Sequence, residues 1–433
     1  MLCIVYLELG LLFVYLTRSI AWKKAIPVFL EVFQKDASKS GERTISHRKA
    51  FLSSVALTVG IGNIAGVGTA IHLGGPGALF WMWVSALFGM FFRMASVYMA
   101  IKHRPADTAS PSFATPMVYL EKYMTGIWSF IPKLVAGLIL IQGVVLYNLV
   151  QVNSLAHALR DGFNIPNIVI AVLTTLCIGA VIMGGLKRIV DYCSAMAPVV
   201  IVIYVITGLI VLLLHPASAI RALAQVFSCA FVSSSVVGGV AGYGVLQAMQ
   251  FGVSRGVFSH MSGTGTGTFF QAANKESPAV GAFMSAVAPF VDTIIICSIT
   301  GLAILCTPYW QHYTGAHLTA ISFAAGAGFI GRMVIIVSLV IFAFTTITAF
   351  AHISERCFKY LGGKNFSGYR IVFLVVTFIG PFLNIRFVWS LSDIIIATIL
   401  IFHLMPLLVI ILLNREEMCE DLRSLKCGVK NLF

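Results

Sequence analysis

A run of alternating glycine and threonine, Gly263 to Thr268 in "SHMSGTGTGTFFQAANKESP", is the first stretch of this sequence to suggest chemistry. Glycine-rich loops can hold phosphate through backbone N–H groups, which raises the question of a nucleotide site. A P-loop needs G-x-x-x-x-G-K-[ST] after a strand, but no lysine follows the last glycine of this run, and G-x-G-x-x-G is also missing from it. We therefore predict no nucleotide binding. We expect the run to connect two helices at the cytoplasmic side of a membrane, where its role would be structural or gating.

Two other glycine clusters, "ALTVGIGNIAG" (56–66) and "SSSVVGGVAGYG" (233–244), lie in apolar surroundings and predict interrupted helices. A helix that unwinds inside a membrane frees N–H groups at one half-helix and C=O groups at the other. The N–H end suits a carboxylate, whereas the carbonyl oxygens suit an ammonium group or Na⁺. A zwitterion with a small cation would satisfy both. The alternative is close helix packing through small residues.

A pair of hydroxyl side chains, Thr345 and Thr346 in "VIFAFTTITAF", provides oxygen ligands of the kind that bind Na⁺. They could complete an oxygen cage with the carbonyls of Ala56 and Val59. The alternative is that both threonines bond to their own helix. Phe350 follows Thr346 by one turn and would line the same small pocket or simply pack.

Polar side chains inside apolar segments need partners, and one carboxylate is among them. Asp292 in "PFVDTIIICSITG" is a candidate cation ligand or proton carrier, with pairing to a neighbouring helix as the alternative. Asn148, Gln151 and Asn153 are candidates either for substrate binding or for hydrogen bonding between helices.

The composition places these residues in a membrane protein. Of the 433 residues, 59% are hydrophobic and 10% are charged, and the mean hydropathy is +0.94. Apolar stretches long enough to cross a bilayer recur along the chain. We predict an all-α integral membrane protein with eleven spans. They lie at 1–17, 48–71, 77–101, 130–157, 166–184, 193–214, 229–250, 280–305, 330–354, 369–385 and 389–413.

The net charge of +13 is explained by membrane orientation. With the loop after the first span in the cytoplasm, most Lys and Arg residues fall on that side, as the positive-inside rule requires. The N-terminus is then outside and the C-terminus is cytoplasmic. Nucleic acid is not needed to account for the charge, and the predicted location is the inner (cytoplasmic) membrane.

The two interrupted spans are five helices apart and therefore have opposite orientations. This is the arrangement of an inverted repeat of five plus five helices, and interrupted helices in corresponding positions indicate the binding site of a secondary transporter. The predicted parts are an N-terminal helix with a basic linker (1–47), a first repeat (48–214), a second repeat (229–413) and a tail (414–433). Catalytic motifs such as H-E-x-x-H or G-x-S-x-G do not occur, so we predict that the protein is not an enzyme.

Several segments together resemble the alanine or glycine:cation symporter family, also called sodium:alanine symporters. The long segment "VGIGNIAGVGTAIHLGGPGALFWMWVSALFGM" (59–90) resembles a specific signature of that family. Five more segments resemble family segments in the same order, and the likeness extends over nearly the whole chain. They are "NLVQVNSLA" (148–156), "GGLKRIVDY" (184–192), "RGVFSHMSGTGTG" (255–267), "FVDTIIICSITGLAIL" (290–305) and "FAFTTITAFAHISERC" (342–357).

The resemblance implies a leucine-transporter-type fold with one extra N-terminal helix. It also implies import of a small neutral amino acid, alanine (D or L) or glycine, coupled to Na⁺ by alternating access. We separately predict a monomer. The substrate candidates are then Gly60, Gly62, Asn63, Gln151, Gly238, Gly239, Thr346 and Phe350. The cation candidates are Ala56, Val59, Thr345 and Thr346. Coupling to H⁺ and a receptor that binds without transport remain alternatives.

The chain departs from the family pattern near the predicted site. Where the family typically has S-N-E-A-G, this sequence has "SHMSG", so that His260 and Met261 replace an asparagine and a glutamate. Phe350 stands where many members have tryptophan, and Tyr147 stands where a glycine is typical. These changes affect the expected substrate size, and His260 becomes, with Asp292, a candidate for gating or coupling.

Overall fold

The computed structural model describes residues 2–17, 24–25, 27–28, 30, 55, 58–106, 115–183, 185–231, 241–271 and 277–424. Over these ranges the fold is all-helical and contains no strand. The α-helices are α1 (Leu2–Leu16), α2 (Ala65–Gly74), α3 (Gly77–Lys102), α4 (Met117–Tyr123), α5 (Ile131–Ile141), α6 (Asn148–Phe163), α7 (Asn167–Ile182), α8 (Gly185–Leu214), α9 (Pro216–Phe231), α10 (Ala241–His260), α11 (Thr268–Gln271), α12 (Pro278–Pro289), α13 (Ser298–Leu305), α14 (Gly315–Tyr360), α15 (Phe366–Ile379), α16 (Ile385–Leu413) and α17 (Arg415–Ser424).

Shorter helical segments of other types connect several of these helices. Two π-helices join α5 to α6 and α12 to α13, at Gln142–Tyr147 and Phe290–Cys297. Four 3₁₀ turns lie at Ile61–Asn63, Gly126–Trp128, Pro308–Gln311 and Gly380–Phe382. Because π turns often accompany functional sites, the two π-helices are of special interest.

Five helical stretches among the described residues are long and apolar enough to cross a membrane, or six if the bent pair of α8 and α9 counts as one span. They are Gly77–Lys102, Gly126–Phe163, Pro278–Leu305, Gly315–Tyr360 and Ile385–Leu413. Shorter apolar helices occur at Cys3–Leu16, Asn167–Ile182 and Phe366–Phe382. These helices overlap nine of the eleven predicted spans, while the total of eleven stays a prediction. The other two, 48–71 and 229–250, include residues outside the described ranges.

The predicted span at 330–354 is too short, because α14 runs from Gly315 to Tyr360. Its backbone is interrupted at Ala327 and Gly328, where Gly328 has a φ of 62°. Glycine adopts this left-handed conformation without steric cost, so the chain can turn there between two helical parts. The hydropathy pattern detected the second part alone.

The predicted span at 229–250 ends too early. Helix α9 ends at Phe231, and α10 continues to His260. Arg255, five residues beyond the predicted end, is only 2% exposed and pairs with Asp393 of α16. A paired charge is tolerated inside the bundle, so the helix continues past it.

Helix α10 packs in the described bundle with its C-terminal half buried. It packs against α2 and α3, while α14 packs along α8 and α6. Large apolar side chains on the outside, such as Leu213, Phe329 and Leu413, are 70% or more exposed. Apolar surface of this kind is suited to contact with a lipid bilayer. The polar residues discussed below lie in the interior of the bundle instead.

Candidate functional site

The first interruption lies just before α2. The backbone is extended at Gly60, forms a single 3₁₀ turn over Ile61–Asn63 and becomes α-helical at Ala65. The Asn63 side-chain oxygen accepts a hydrogen bond of 2.8 Å from the Gly60 N–H. This polar side chain therefore satisfies a backbone donor that the interruption has left free.

Two side chains from other helices approach this interruption. The Ile61 N–H donates to the Gln151 side-chain oxygen of α6 at 3.0 Å. A Cβ atom on Gly60 would lie 2.8 Å from the Thr346 hydroxyl and 3.0 Å from the Gln151 side-chain nitrogen. Glycine is therefore needed at position 60 for close approach. The buried Thr346 hydroxyl has no hydrogen-bond partner among the described residues.

A second break in regular helix lies at the end of α10, and we call the last turn of α10 together with the non-helical residues before α11 (258–267) the second interruption. Met261, Gly263 and Gly265 all have positive φ, at 55°, 92° and 80°, so the chain turns repeatedly before α11 begins at Thr268. This is the glycine–threonine run, and its residues are buried: the three threonines are 0% exposed. The run therefore lies inside the protein, and its position at the cytoplasmic side stays a prediction.

The two interruptions contact each other directly. A Cβ atom on Gly62 would lie 3.0 Å from the Phe258 ring and 3.1 Å from Ser259 Cα in the last turn of α10. The absence of a side chain at position 62 thus allows the 3₁₀ turn to pack against α10. The sequence alone suggested an unwound segment near 233–244, of which residues 233–240 lie outside the described ranges.

A fully buried carboxylate links both interruptions. Asp292, in the second π-helix, accepts hydrogen bonds from Asn63 at 2.8 Å, from Ser259 at 2.7 Å and from its neighbour Thr293 at 2.8 Å. All three donors are uncharged, so the cluster has the oxygen chemistry that suits a hard cation or a proton.

Three aromatic rings form a layer one helical turn away from Gln151 and Thr346. The ring of Tyr147 stacks on Phe350 with centroids 4.0 Å apart and on Phe258 with centroids 4.8 Å apart. The Tyr147 hydroxyl donates to the Phe258 carbonyl at 3.0 Å. Residues 147 and 151, like 346 and 350, are separated by four positions and therefore lie on one helix face.

The structure brings together several residues that the sequence singled out. Gly60, Gly62, Asn63, Gln151, Thr346 and Asp292 form one buried cluster, with Phe350 in the adjacent aromatic layer. Thr345 is buried and donates to the Phe342 carbonyl of its own helix at 3.1 Å. Val59 is buried at the start of the interruption. Ala56, Gly238 and Gly239 lie outside the described residues.

His260 lies at the second interruption rather than beside Gly60. Its Nδ1 accepts from the Ser262 N–H at 3.1 Å, so its Nε2 carries the proton and faces the Ser85 hydroxyl at 3.3 Å. The Arg93 guanidinium, only 2% exposed, donates to the His260 carbonyl at 3.1 Å. A cation at a helix C-terminus is favourable, so Arg93 stabilises the end of α10.

Other polar residues hold helices together. Asn148 donates to the Phe373 carbonyl at 3.0 Å, and Asn153 donates to the Gly380 carbonyl at 2.9 Å. The interhelical interpretation of these two amides is confirmed.

An ion pair next to the aromatic layer was not predicted from the sequence. Arg255 binds both carboxylate oxygens of Asp393, at 2.5 and 3.2 Å, and lies 4.3 Å from the Trp389 ring. Trp389 in turn contacts the Phe258 ring at 4.9 Å. The basic and acidic partners are 138 residues apart, so spacing gave no signal for the pair.

Comparison with known proteins gives a consistent family and fold. A model of the sodium:alanine symporter family matches residues 1–430. The chain is 36% identical to an uncharacterized transporter of Haemophilus influenzae, covering 90% of this chain and 85% of that protein. It is 35% identical to the sodium/alanine symporter AgcS of Methanococcus maripaludis, covering 92% and 89% of the two chains.

Two solved structures are similar in fold alone. A Na⁺-coupled sialic acid symporter in a substrate-bound outward-open state has a TM-score of 0.53 at 13% identity, covering 91% of this chain and 81% of that one. A manganese transporter of Eremococcus coleocola has a TM-score of 0.55 at 12% identity, covering 83% and 78%. The helical arrangement is therefore that of known membrane transporters.

Proposed function

The chain belongs to the sodium:alanine symporter family, and from this premise we propose that it imports a small neutral amino acid, alanine (D or L) or glycine, together with Na⁺. The observation that carries the proposal is the close approach of the first interruption, at Gly60, to a buried hydroxyl, Thr346, that has no hydrogen-bond partner among the described residues. A buried polar atom without a partner is costly, and a bound ligand would satisfy it.

The substrate would bind across the first interruption. The positive N-terminal end of α2 and the 3₁₀ turn before it attract a carboxylate. The Ile61 N–H donates to the Gln151 side-chain oxygen, and the substrate carboxylate would replace this oxygen as the acceptor. Gly60 and Gly62, which have no side chains, let the backbone of the interruption approach Thr346 and Phe258 closely, and Phe350 follows Thr346 by one turn. Gly238 and Gly239 are proposed to contribute from the second repeat.

The cation would bind beside the substrate. Thr345 and Thr346 provide hydroxyl oxygens, and Ala56 and Val59 are proposed to provide carbonyl oxygens. The hydrogen bond from Thr345 to the Phe342 carbonyl does not prevent this, because a hydroxyl that donates its proton keeps two lone pairs for a cation. Oxygen-only ligands of this kind suit Na⁺.

Asp292 is proposed to couple the two interruptions. It bonds to Asn63 at the first and to Ser259 at the second, so a change in its charge or ligands would be felt by both. This buried carboxylate also favours the alternative in which H⁺ replaces Na⁺ as the coupling ion. His260 is the second candidate for a gating role, because it is the last residue of α10, next to the turn that follows.

We further propose that the protein is a monomer of the inner membrane, with the N-terminus outside and the C-terminus in the cytoplasm. The distribution of Lys and Arg supports this orientation. Reporter fusions at the two ends of the chain would check it.

Uptake of radiolabelled alanine and glycine into proteoliposomes tests the function. An inward Na⁺ gradient, an H⁺ gradient and no gradient should be compared for the wild type and for the double variant Thr345→Ala/Thr346→Ala. We expect Na⁺-driven uptake that the double variant loses. The matched control is Thr174→Ala, because Thr174 bonds to its own helix at Ile170 in α7, away from the site.

The other outcomes are informative as well. Uptake driven only by H⁺ would replace Na⁺ in the proposal. Binding of alanine to a folded protein without uptake under any gradient would favour a receptor of the same fold.

A further inference from the structure

The aromatic layer beneath the candidate substrate site contains one residue that no part of the proposed mechanism uses. Tyr147 is fully buried, and its ring lies between Phe350 of α14 and Phe258 of α10. It therefore touches two of the helices that form the site while belonging to a third stretch, the first π-helix.

We propose that Tyr147 is a specificity-determining residue whose ring closes the substrate site and restricts it to the smallest amino acids. The inference rests on the proposed function and deepens it, because it names the property of the substrate that is selected, namely a side chain no larger than one or two heavy atoms.

The position of the ring follows from helix geometry. Tyr147 precedes Gln151 by four residues, and Phe350 follows Thr346 by four, so the aromatic layer lies about 6 Å from the polar layer along each helix. Gly60 contacts the polar layer and Gly62 contacts Phe258. A ligand bound at the first interruption would thus have its side chain facing the stacked rings.

The closely packed rings leave no free space for a larger ligand side chain. Tyr147 and Phe350 are nearly parallel, at 11°, with centroids 4.0 Å apart. Aromatic pairs in proteins usually have centroids about 4.5 to 7 Å apart, so this pair is packed unusually closely. A branched side chain would have to separate rings that belong to different helices.

Two further contacts fix the tyrosine. Its hydroxyl donates to the Phe258 carbonyl at 3.0 Å, in the last turn of α10. Gly143, in the same π-helix, permits close approach to α14, since a Cβ atom there would lie 2.8 Å from the Ser354 hydroxyl. The ring can therefore neither rotate freely nor retreat from the site without moving the π-helix.

Competition measurements on purified protein in proteoliposomes test the inference. Uptake of labelled alanine would be inhibited with unlabelled glycine, alanine, valine and leucine for the wild type, Tyr147→Ala and Tyr147→Phe. For Tyr147→Ala we expect valine and leucine to inhibit at concentrations lower by roughly tenfold or more, the scale on which apolar pockets discriminate size. Tyr147→Phe keeps the ring and should keep wild-type selectivity.

A purely packing role for the ring predicts a different result. Tyr204→Ala is the matched control, because Tyr204 is also a buried tyrosine with a hydroxyl partner, Thr300, but contacts Phe323 and Phe342 instead of the site. It should change stability and leave the inhibition order unchanged. A folded Tyr147→Ala protein with the wild-type order of inhibitors would overturn the inference.

Two additions keep the test decisive. If Tyr147→Ala does not fold, Tyr147→Leu removes the ring while keeping most of the apolar packing, and the same shift toward valine is expected. Ligand-induced shifts in melting temperature report binding without transport. If the wild type shows such shifts with glycine and alanine but no uptake, the proposed function fails while the size selection is still measured. If no amino acid of the series shifts it, the inference fails too.

Discussion

The side-chain amide of Asn63 donates a 2.8 Å hydrogen bond to the carboxylate of Asp292, although the two residues are 229 positions apart. A second bond from the same amide reaches the Asp292 carbonyl at 3.0 Å. Asn63 thus uses its oxygen for the Gly60 N–H and its nitrogen for Asp292. The first interruption and the second π-helix are joined through one side chain.

Replacing Asp292 by Asn should reduce the apparent affinity for the driving cation. The substitution removes the negative charge and presents an amide N–H₂ group to donors on Asn63, Ser259 and Thr293, so we expect a loss of about tenfold or more. The cation dependence of alanine uptake measures it. Asp161→Asn is the control, because Asp161 pairs with Arg160 at the exposed end of α6. Equal cation dependence in wild type and Asp292→Asn would contradict this role.

Replacing Gly60 by Ala should abolish ligand binding and destabilise the protein. The new methyl group would lie 2.8 Å from the Thr346 hydroxyl, and overpacking of this kind costs about 1–3 kcal/mol. Thermal unfolding and alanine-induced stabilisation measure the two effects. Gly137→Ala is the matched control, since nothing lies within 4 Å of the added atom in helix α5. An alanine-induced stabilisation in Gly60→Ala as large as in wild type would argue against close approach at this site.

Replacing Asp393 by Asn should destabilise the protein much more than breaking the ion pair between Glu355 and Arg370, whose side chains are both partly exposed. Arg255 is 2% exposed and would lose its charged partner, which costs about 3 kcal/mol, the lower end of the range for buried pairs because Asp393 itself is 39% exposed. Glu355→Gln breaks the pair with Arg370, in which both side chains are 26% exposed, and should cost about 1 kcal/mol or less. Melting temperatures of the two purified variants give the comparison. Equal losses would mean that Arg255 finds another partner.

Lowering the pH should reduce the stability of the folded protein through groups that lie near α17. Burial, with the charges of Lys122 and Lys102, lowers the pKa of His103 to about 4. The unfolded chain then binds the proton more readily, so this contribution to stability is complete above the ordinary pKa of about 6.5 and is lost as pH falls toward 4.

Glu417 reinforces the same trend. The hydrogen bond and charge of Lys102 lower the pKa of its carboxyl group, so its contribution is also lost on acidification. Melting temperatures at pH 7.5 and pH 5 should differ less for His103→Gln than for wild type. If the two proteins lose the same amount, His103 does not carry the pH dependence.

The sequence by itself determined the elements whose signal is local. The apolar stretch at 77–101 became the helix Gly77–Lys102, and the first interruption fell at Gly60–Asn63, because hydropathy and glycine content act over a few neighbouring residues. The membrane class and the family also follow from the sequence, since they depend on composition and on motifs that are contiguous in the chain.

The tertiary structure alone decided which polar residues lie inside and what they contact. Helix α10 continues through Arg255 because Asp393 meets it from α16, and the glycine–threonine run is buried because other helices cover it. Asp292 joins both interruptions, and Tyr147 is packed between two rings from distant helices. Such contacts depend on the packing of distant segments, and no local pattern in a single sequence encodes them.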